Sequence, residues 1–473
     1  MAQLASFIRE PAKVSATLFL ALAVLLGGAS HPDILAHHIL QLLALGLLAA
    51  AIFVPGMRSI SLFQFTPVLL ALLFAGWSLM QIVPLPASLS PILPEREVIN
   101  KGASLLGAQP SGFSISLTPE KTLLAMLGCL PPLAAFVFII RMGWSRTIQR
   151  LQWGIPIIGC ISVIIGLAQV FSGPESPLYF YSYTSNQLPV GVFSNVNHQA
   201  TLCLISLVFV FALAGKTRKG FQGGDRDFAK AISIIVLGLA NLIGVLAAGS
   251  VAGYAILVPV LILSFFLMLD GGDKRNNGSF AGLGLGGVFA VFAFSALTVG
   301  FSPMLDGLGV TSLEKTELSR LGIWDRSNEI LSNHIGTGSG LGSFRNLYPL
   351  YEDAALVTAK YVNHAHNDYL QIAIETGIPG LILLISALLL WLIQASRIWA
   401  MKPSSEARLK RAAAIGVMVV ILHSMVDYPL RTPAIATLTA ICLAIMMTPQ
   451  RSAPQKKQGI KNAAEKNEKR ISI

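Results

Sequence analysis

The chain is broken into runs of about 20 apolar residues, the length a helix needs to cross the hydrocarbon core of a bilayer. Twelve such runs occupy residues 14–29, 34–54, 64–83, 122–140, 152–171, 198–215, 230–248, 251–269, 279–300, 377–396, 412–428 and 433–448. In lipid each backbone N–H and C=O must be satisfied within the segment, so runs of this length predict helices. The reading is an all-α polytopic membrane protein of about 12 transmembrane helices. A large, partly helical outer loop separates helices 9 and 10. Only 12% of the residues are charged, against 54% hydrophobic, and mean hydropathy is +0.67. An ordinary cytosolic enzyme, a disordered chain and a secreted disulfide scaffold are all excluded by those figures. The first run lacks a small-residue cleavage site and a second run follows at once, so it reads as a retained helix.

Orientation follows from where the cations lie. Of 34 Lys and Arg, nine fall in the segments assigned to the outer side: Arg96, Lys101, Lys121, Lys315, Arg320, Arg326, Arg345, Lys360 and Arg431. The remaining 25 fall in inner loops and the tail, which places both termini in the cytoplasm. Net charge of +11 is therefore topological, and nucleic acid is not an expected partner. The domain reading is helices 1–9 over 1–300, with outer loops near 84–121 and 172–197. A catalytic loop over 301–376, helices 10–12 over 377–450 and a basic tail over 451–473 complete it. Seven Lys or Arg without apolar periodicity make that tail a disordered membrane-surface segment. Cys129, Cys160, Cys203 and Cys442 lie inside apolar runs and read as small buried hydrophobes.

The 301–376 loop holds five of the nine outer cations together with His334, His364 and His366, so any chemistry is expected at the outer face. Its end, Tyr361-Val-Asn-His-Ala-His-Asn-Asp-Tyr-Leu-Gln, reads as a turn followed by a helix start with Asn367 or Asp368 as cap. Leu370, Ile372, Ala373 and Ile374 suit a helix lying at the membrane interface, and Gly377 and Pro379 break it before the tenth span. Three readings of the histidines stand. They are structural; they bind metal; or one is a general base, for which imidazole has the most suitable pKa. His364-Ala-His366-Asn-Asp368 resembles the HxHxD core of metallo-β-lactamases. That family needs a two-sheet sandwich which this loop is too short to build, so no metal is expected.

His366-Asn367, followed by Gly377 and Gly380, resembles the large-loop histidine motif of the O-antigen ligase and Wzy-type polysaccharide polymerase superfamily. Ser319-Arg320-Leu-Gly-Ile-Trp324 looks like the arginine-tryptophan segment that opens that loop, and Gly338-Ser-Gly-Leu-Gly-Ser-Phe344 like its glycine-rich stretch. Gly191-Val-Phe-Ser-Asn-Val-Asn197-His198 resembles an Asn-His element before the sixth span. His423-Ser-Met-Val-Asp427-Tyr-Pro-Leu-Arg431 resembles a His-Ser-x-x-Asp-x-Pro element between the last two. The five motifs occur in family order between about 190 and 435.

The resemblance implies a multi-pass protein of the bacterial inner membrane with a periplasmic active site. It implies transfer of a glycan from undecaprenyl diphosphate to an acceptor hydroxyl, on lipid A-core or a growing surface polysaccharide, without cofactor or metal. His366 is then the catalytic base and Arg320 a catalytic and diphosphate-binding group, since a guanidinium can grip phosphate oxygens with two hydrogen bonds. Arg345 and Arg431 are further diphosphate candidates, with an ion pair or headgroup contact the alternative for Arg345. His364, Asn367, Asp368, Asn197, His198 and Asp427 are supporting residues. Asp427 lies in or near the membrane, where ionisable groups are costly and often functional; alternatively it pairs with Arg431 or caps the turn at Pro429. One departure stands out: where many relatives carry an arginine between spans seven and eight, this chain has Gly249-Ser-Val-Ala-Gly253. The rival reading is a lipid-linked glycan flippase, which would be expected to place cations along a path through its spans.

Overall fold

The structure, a computed structural model, describes residues 15–31, 34–54, 57–86, 95–107, 112–143, 146–215, 224–269, 320–353 and 361–449, with positions 88 and 93. The expected ninth span at 279–300, the start of the large loop and the basic tail lie outside the described residues. Among the described residues the fold is helical, with one two-residue antiparallel pair, β1 (Leu85–Pro86) and β2 (Gly112–Phe113). In chain order the helices are α1 (Ser15–Leu26), α2 (Leu35–Phe53), α3 (Leu62–Ile82), α4 (Arg96–Leu105), α5 (Pro119–Leu127), α6 (Leu130–Met142), α7 (Arg146–Ser172) and α8 (Val196–Ala214). After them come α9 (Asp225–Ala247), α10 (Val251–Leu269), α11 (Arg320–His334), α12 (Phe344–Leu347), α13 (Asp368–Trp399), α14 (Ser405–His423) and α15 (Pro433–Met447). Among the described residues, eight apolar stretches are long enough to cross a membrane: α2, α3, α5 with α6, α7, α8, α9, α10 and α13. The shorter α1 and α15, and the charge-bearing α14, coincide with three further expected runs.

Helix α8 is the axis. It is buried over nearly its whole length and packs against α7, α9, α10 and α14, while α15 lies against α6 and α14. By contrast α2, α3 and α13 bury little and turn leucines and isoleucines outward, among them Leu72, Ile382 and Leu389. An exposed apolar face of that extent is what a helix in contact with lipid tails presents. Some polar groups within the bundle bond across helices: Asn241 of α9 donates to the Pro156 carbonyl in α7 (3.1 Å).

Local signals set the helix starts that matter for the site. Asn195 caps α8 by accepting from the Asn197 N–H (2.9 Å), and Asn367 caps α13 by accepting from Tyr369 and Leu370 N–H (3.0 and 3.1 Å). The expected break at Gly377 is present: φ is 63° there, and α13 continues beyond it in a new direction. A side chain at Gly377 would meet the Gly338 backbone at 2.6 Å, so α13 and the glycine-rich loop approach as closely as two backbones can. One expectation is corrected. The first turns of α13 do not lie on a surface but are buried in protein, with Asp368, Gln371 and Glu375 all enclosed.

Candidate active site

The loops at one end of the bundle converge on the turn before α13. Ser339 and Gly340 N–H donate to the carbonyls of Ile374 and Glu375 (both 2.9 Å), and Leu117 N–H donates to Ser339. Trp324 of α11 donates its indole N–H to the Ala365 carbonyl (2.9 Å), and Gln371 accepts from the Ala365 N–H (3.2 Å). Between these anchors His366 adopts φ 49°, a left-handed conformation that non-glycine residues rarely hold. Such backbone strain persists only where the surroundings impose it, and it often marks functional positions.

His366 Nδ1 donates to Asp427 Oδ1 (3.2 Å); the carboxylate is fully buried, while the imidazole is 28% exposed. An ionised carboxylate only accepts, so Nδ1 carries a proton; in the neutral ring Nε2 is then the lone-pair nitrogen. The alternatives of Asp427 pairing with Arg431 or capping Pro429 give way to this contact. Asp427 instead sits in the turn after α14, its carbonyl accepting from the Asp368 N–H (3.2 Å). Tyr428, the next residue, is buried among three imidazoles, with ring centroids 4.9 Å from His366, 4.2 Å from His364 and 5.3 Å from His198. Its hydroxyl accepts from Asn195 (3.3 Å). His198 and His423 are wholly buried and share hydrogen bonds with Thr432 (2.9 Å) and Thr201 (2.6 Å). Arg320, at the start of α11, extends its charge to Tyr428 and His423.

Across Tyr428 lies a different environment. His364 Nδ1 meets the Gln371 amide (3.2–3.3 Å), and burial, then the charges of Arg431 and His366, holds its imidazole well below the usual pKa. Gln371 also donates to Glu375 (2.9 Å), and Glu375 accepts from Arg431 Nη1 (2.7 Å). Arg431 Nε lies 3.5 Å from Asp368, whose other oxygen accepts from Ser424 and the Leu430 N–H. Although burial opposes it, these two carboxylates keep the guanidinium firmly charged. His364, Asp368 and Arg431 form one wall of a cavity of about 680 Å³, with Arg345, Lys121 and His37 on other walls. An apolar groove of about 300 Å³ adjoins it between α3, α13 and α15, and the two share Phe74, Cys129 and Ile372.

The structure thus joins His366 to Asp427 and gathers Arg345, Arg431, His364 and Asp368 around one space. Asn197 contributes through its backbone: its carbonyl accepts from Thr201 (3.0 Å). The side chains of the HxHxD turn diverge, His364 to Gln371, His366 to Asp427 and Asp368 to Ser424. Tyr428, Lys121, Gln371 and His31 were missed by sequence reasoning. Tyr428 carried a local signal as the neighbour of Asp427 in its motif, and Gln371 carried one in its spacing from Glu375.

Residues 233–385 match the family model described as O-antigen ligase. The matched stretch includes Arg320, Arg345, His364, His366, Asn367 and Asp368, and it bears out the resemblance seen in the motifs. No curated protein matches the chain.

Proposed function

We propose, from the premise that residues 233–385 are an O-antigen ligase region, that the protein is a membrane glycosyltransferase. In this reading it moves a glycan from undecaprenyl diphosphate to an acceptor hydroxyl, on lipid A-core or a growing polysaccharide, at the periplasmic face. The observation that carries it is a cation-bearing cavity adjoining an apolar groove, with Phe74, Cys129 and Ile372 lining both. A donor with a diphosphate head and a polyprenyl tail needs that combination.

His366 Nε2 accepts the proton of the acceptor hydroxyl as its oxygen bonds to the anomeric carbon. Asp427 holds the Nδ1–H and stabilises the imidazolium so formed, as a carboxylate beside a catalytic histidine does. The bond between the anomeric carbon and the diphosphate oxygen breaks, and undecaprenyl diphosphate leaves with the electron pair. Arg345, which lines the cavity, takes up the charge that develops on the diphosphate, and Arg320, which does not line it, adds its charge from the Tyr428 side. Arg431, engaged by Glu375 and Asp368, fixes the cavity wall and adds its charge at longer range. Arg345 and Lys121 also offer positive charge to compensate for the arginine absent between α9 and α10.

Purified protein given a lipid-linked glycan and a candidate acceptor tests this directly. Product formation with release of undecaprenyl diphosphate supports it. Movement of the donor across a vesicle bilayer, with no transfer, would establish the flippase reading instead.

A further inference from the structure

The cavity carries a cluster of which the reaction above uses only Arg345. Tyr183, from the loop between α7 and α8, stacks on His31 with ring centroids 5.7 Å apart and planes 11° from parallel. Arg345 Nη1 donates to His31 Nε2 (2.6 Å), and its guanidinium lies 4.4 Å from the centre of the Tyr361 ring. Four separate segments meet here, and two of their rings stay open: Tyr183 is 69% exposed and Tyr361 45%. His31, Tyr183 and Arg345 all face the cavity.

Open rings held flat beside a planar hydrogen-bond donor have a specific chemical match. A pyranose presents apolar C–H faces that stack on aromatic rings, and its rim of hydroxyls accepts from guanidinium N–H groups. Tyrosines at a membrane interface often only face headgroups, but here the rings are tied to Arg345, a charged group that lines the cavity. We propose that Tyr183, His31, Arg345 and Tyr361 form the subsite for the sugar joined directly to the donor's diphosphate. This rests on the reading of the cavity as the diphosphate site. The Arg345 guanidinium serves both subsites, lying over the Tyr361 ring and lining the cavity.

The test is binding to the full-length protein in detergent, with two probes: undecaprenyl diphosphate, and the same lipid bearing one N-acetylglucosamine. Wild type should bind the glycosylated lipid more tightly. Tyr183→Ala and Tyr361→Ala should each lower affinity for it by about five- to tenfold, the scale of one aromatic contact. Affinity for the bare lipid should stay within about twofold. Tyr183→Phe, which keeps the ring, should behave as wild type. If both alanine variants leave the ratio of the two affinities unchanged, the sugar subsite is wrong even though the diphosphate site stands. If wild type binds neither lipid, the cavity reading itself has failed and the subsite with it.

Discussion

His364 and His366 lie two residues apart, yet Tyr428 divides their surroundings. His366 has a buried carboxylate on one nitrogen and partial exposure beyond it. His364 has an amide partner, almost no exposure and an arginine close enough to disfavour protonation. A general base needs a fixed tautomer, a stabilised cationic form and access to the proton it takes. The first environment supplies all three and the second supplies only the tautomer. In the proposed reaction the Asp427 side therefore carries proton transfer, while the side of His364 and Arg431 faces the cavity assigned to the diphosphate.

The largest test of that division is removal of the base. His366→Ala should cut transfer by roughly 10²–10⁴-fold, the usual contribution of acid–base catalysis. His366→Gly serves as a second variant, since glycine accepts the left-handed φ without strain. Asp427→Asn should fall in the same direction, because an amide can present the wrong group to Nδ1 and gives no charge to the imidazolium. Near-normal transfer by well-folded His366→Gly would erase the difference between the two sides.

Next comes the anion side's own scaffold. Glu375 is wholly buried and accepts from Arg431, Gln371 and the Phe344 N–H. Glu375→Ala leaves Arg431 with Asp368 alone and should cost about 3 kcal/mol of stability, near the usual loss on breaking a buried pair. A lowered thermal midpoint in detergent measures it. An unchanged midpoint would mean that Arg431 does not depend on this partner.

How much of this was legible follows the range of the interactions. The Asn367 cap and the Gly377 break depend on neighbours in sequence, and both were readable from residue type. The partner of His366 was not: Asp427 is 61 positions away, and pattern alone offered Arg431 or Pro429 as its contact. Arg431 was legible as a cation, but not as one held by Glu375 and Asp368 from the start of α13. The burial of those first turns was misread because Leu370, Ile372 and Ile374 look alike against lipid or protein. A sharper signal lay in Gln371 and Glu375, polar residues one helical turn apart that share a face.

Two smaller effects refine the comparison. Arg320→Lys keeps the charge but loses the forked donor, and transfer should drop by about 10- to 100-fold, the worth of a hydrogen bond to a charged group. Wild-type rates in that variant would reduce Arg320 to a general field. His364→Ala should cost less than about tenfold in transfer, because the Asp427–His366 pair remains. A loss equal to that of His366→Ala would move the base to the cavity side of Tyr428.

The smallest expected effect is that of a chelator. Loss of activity in EDTA, restored by a divalent ion, would revive the metal reading of His364-Ala-His366-Asn-Asp368. The geometry argues for no change. A metal needs its donors aimed at one point, whereas these three side chains turn to Gln371, Asp427 and Ser424. Among the described residues, no group of three His, Cys, Asp or Glu side chains converges on a common point elsewhere. Charge on the departing diphosphate is assigned to guanidinium groups, which bind it without a bridging ion. Transfer rates measured with and without EDTA should therefore agree within error.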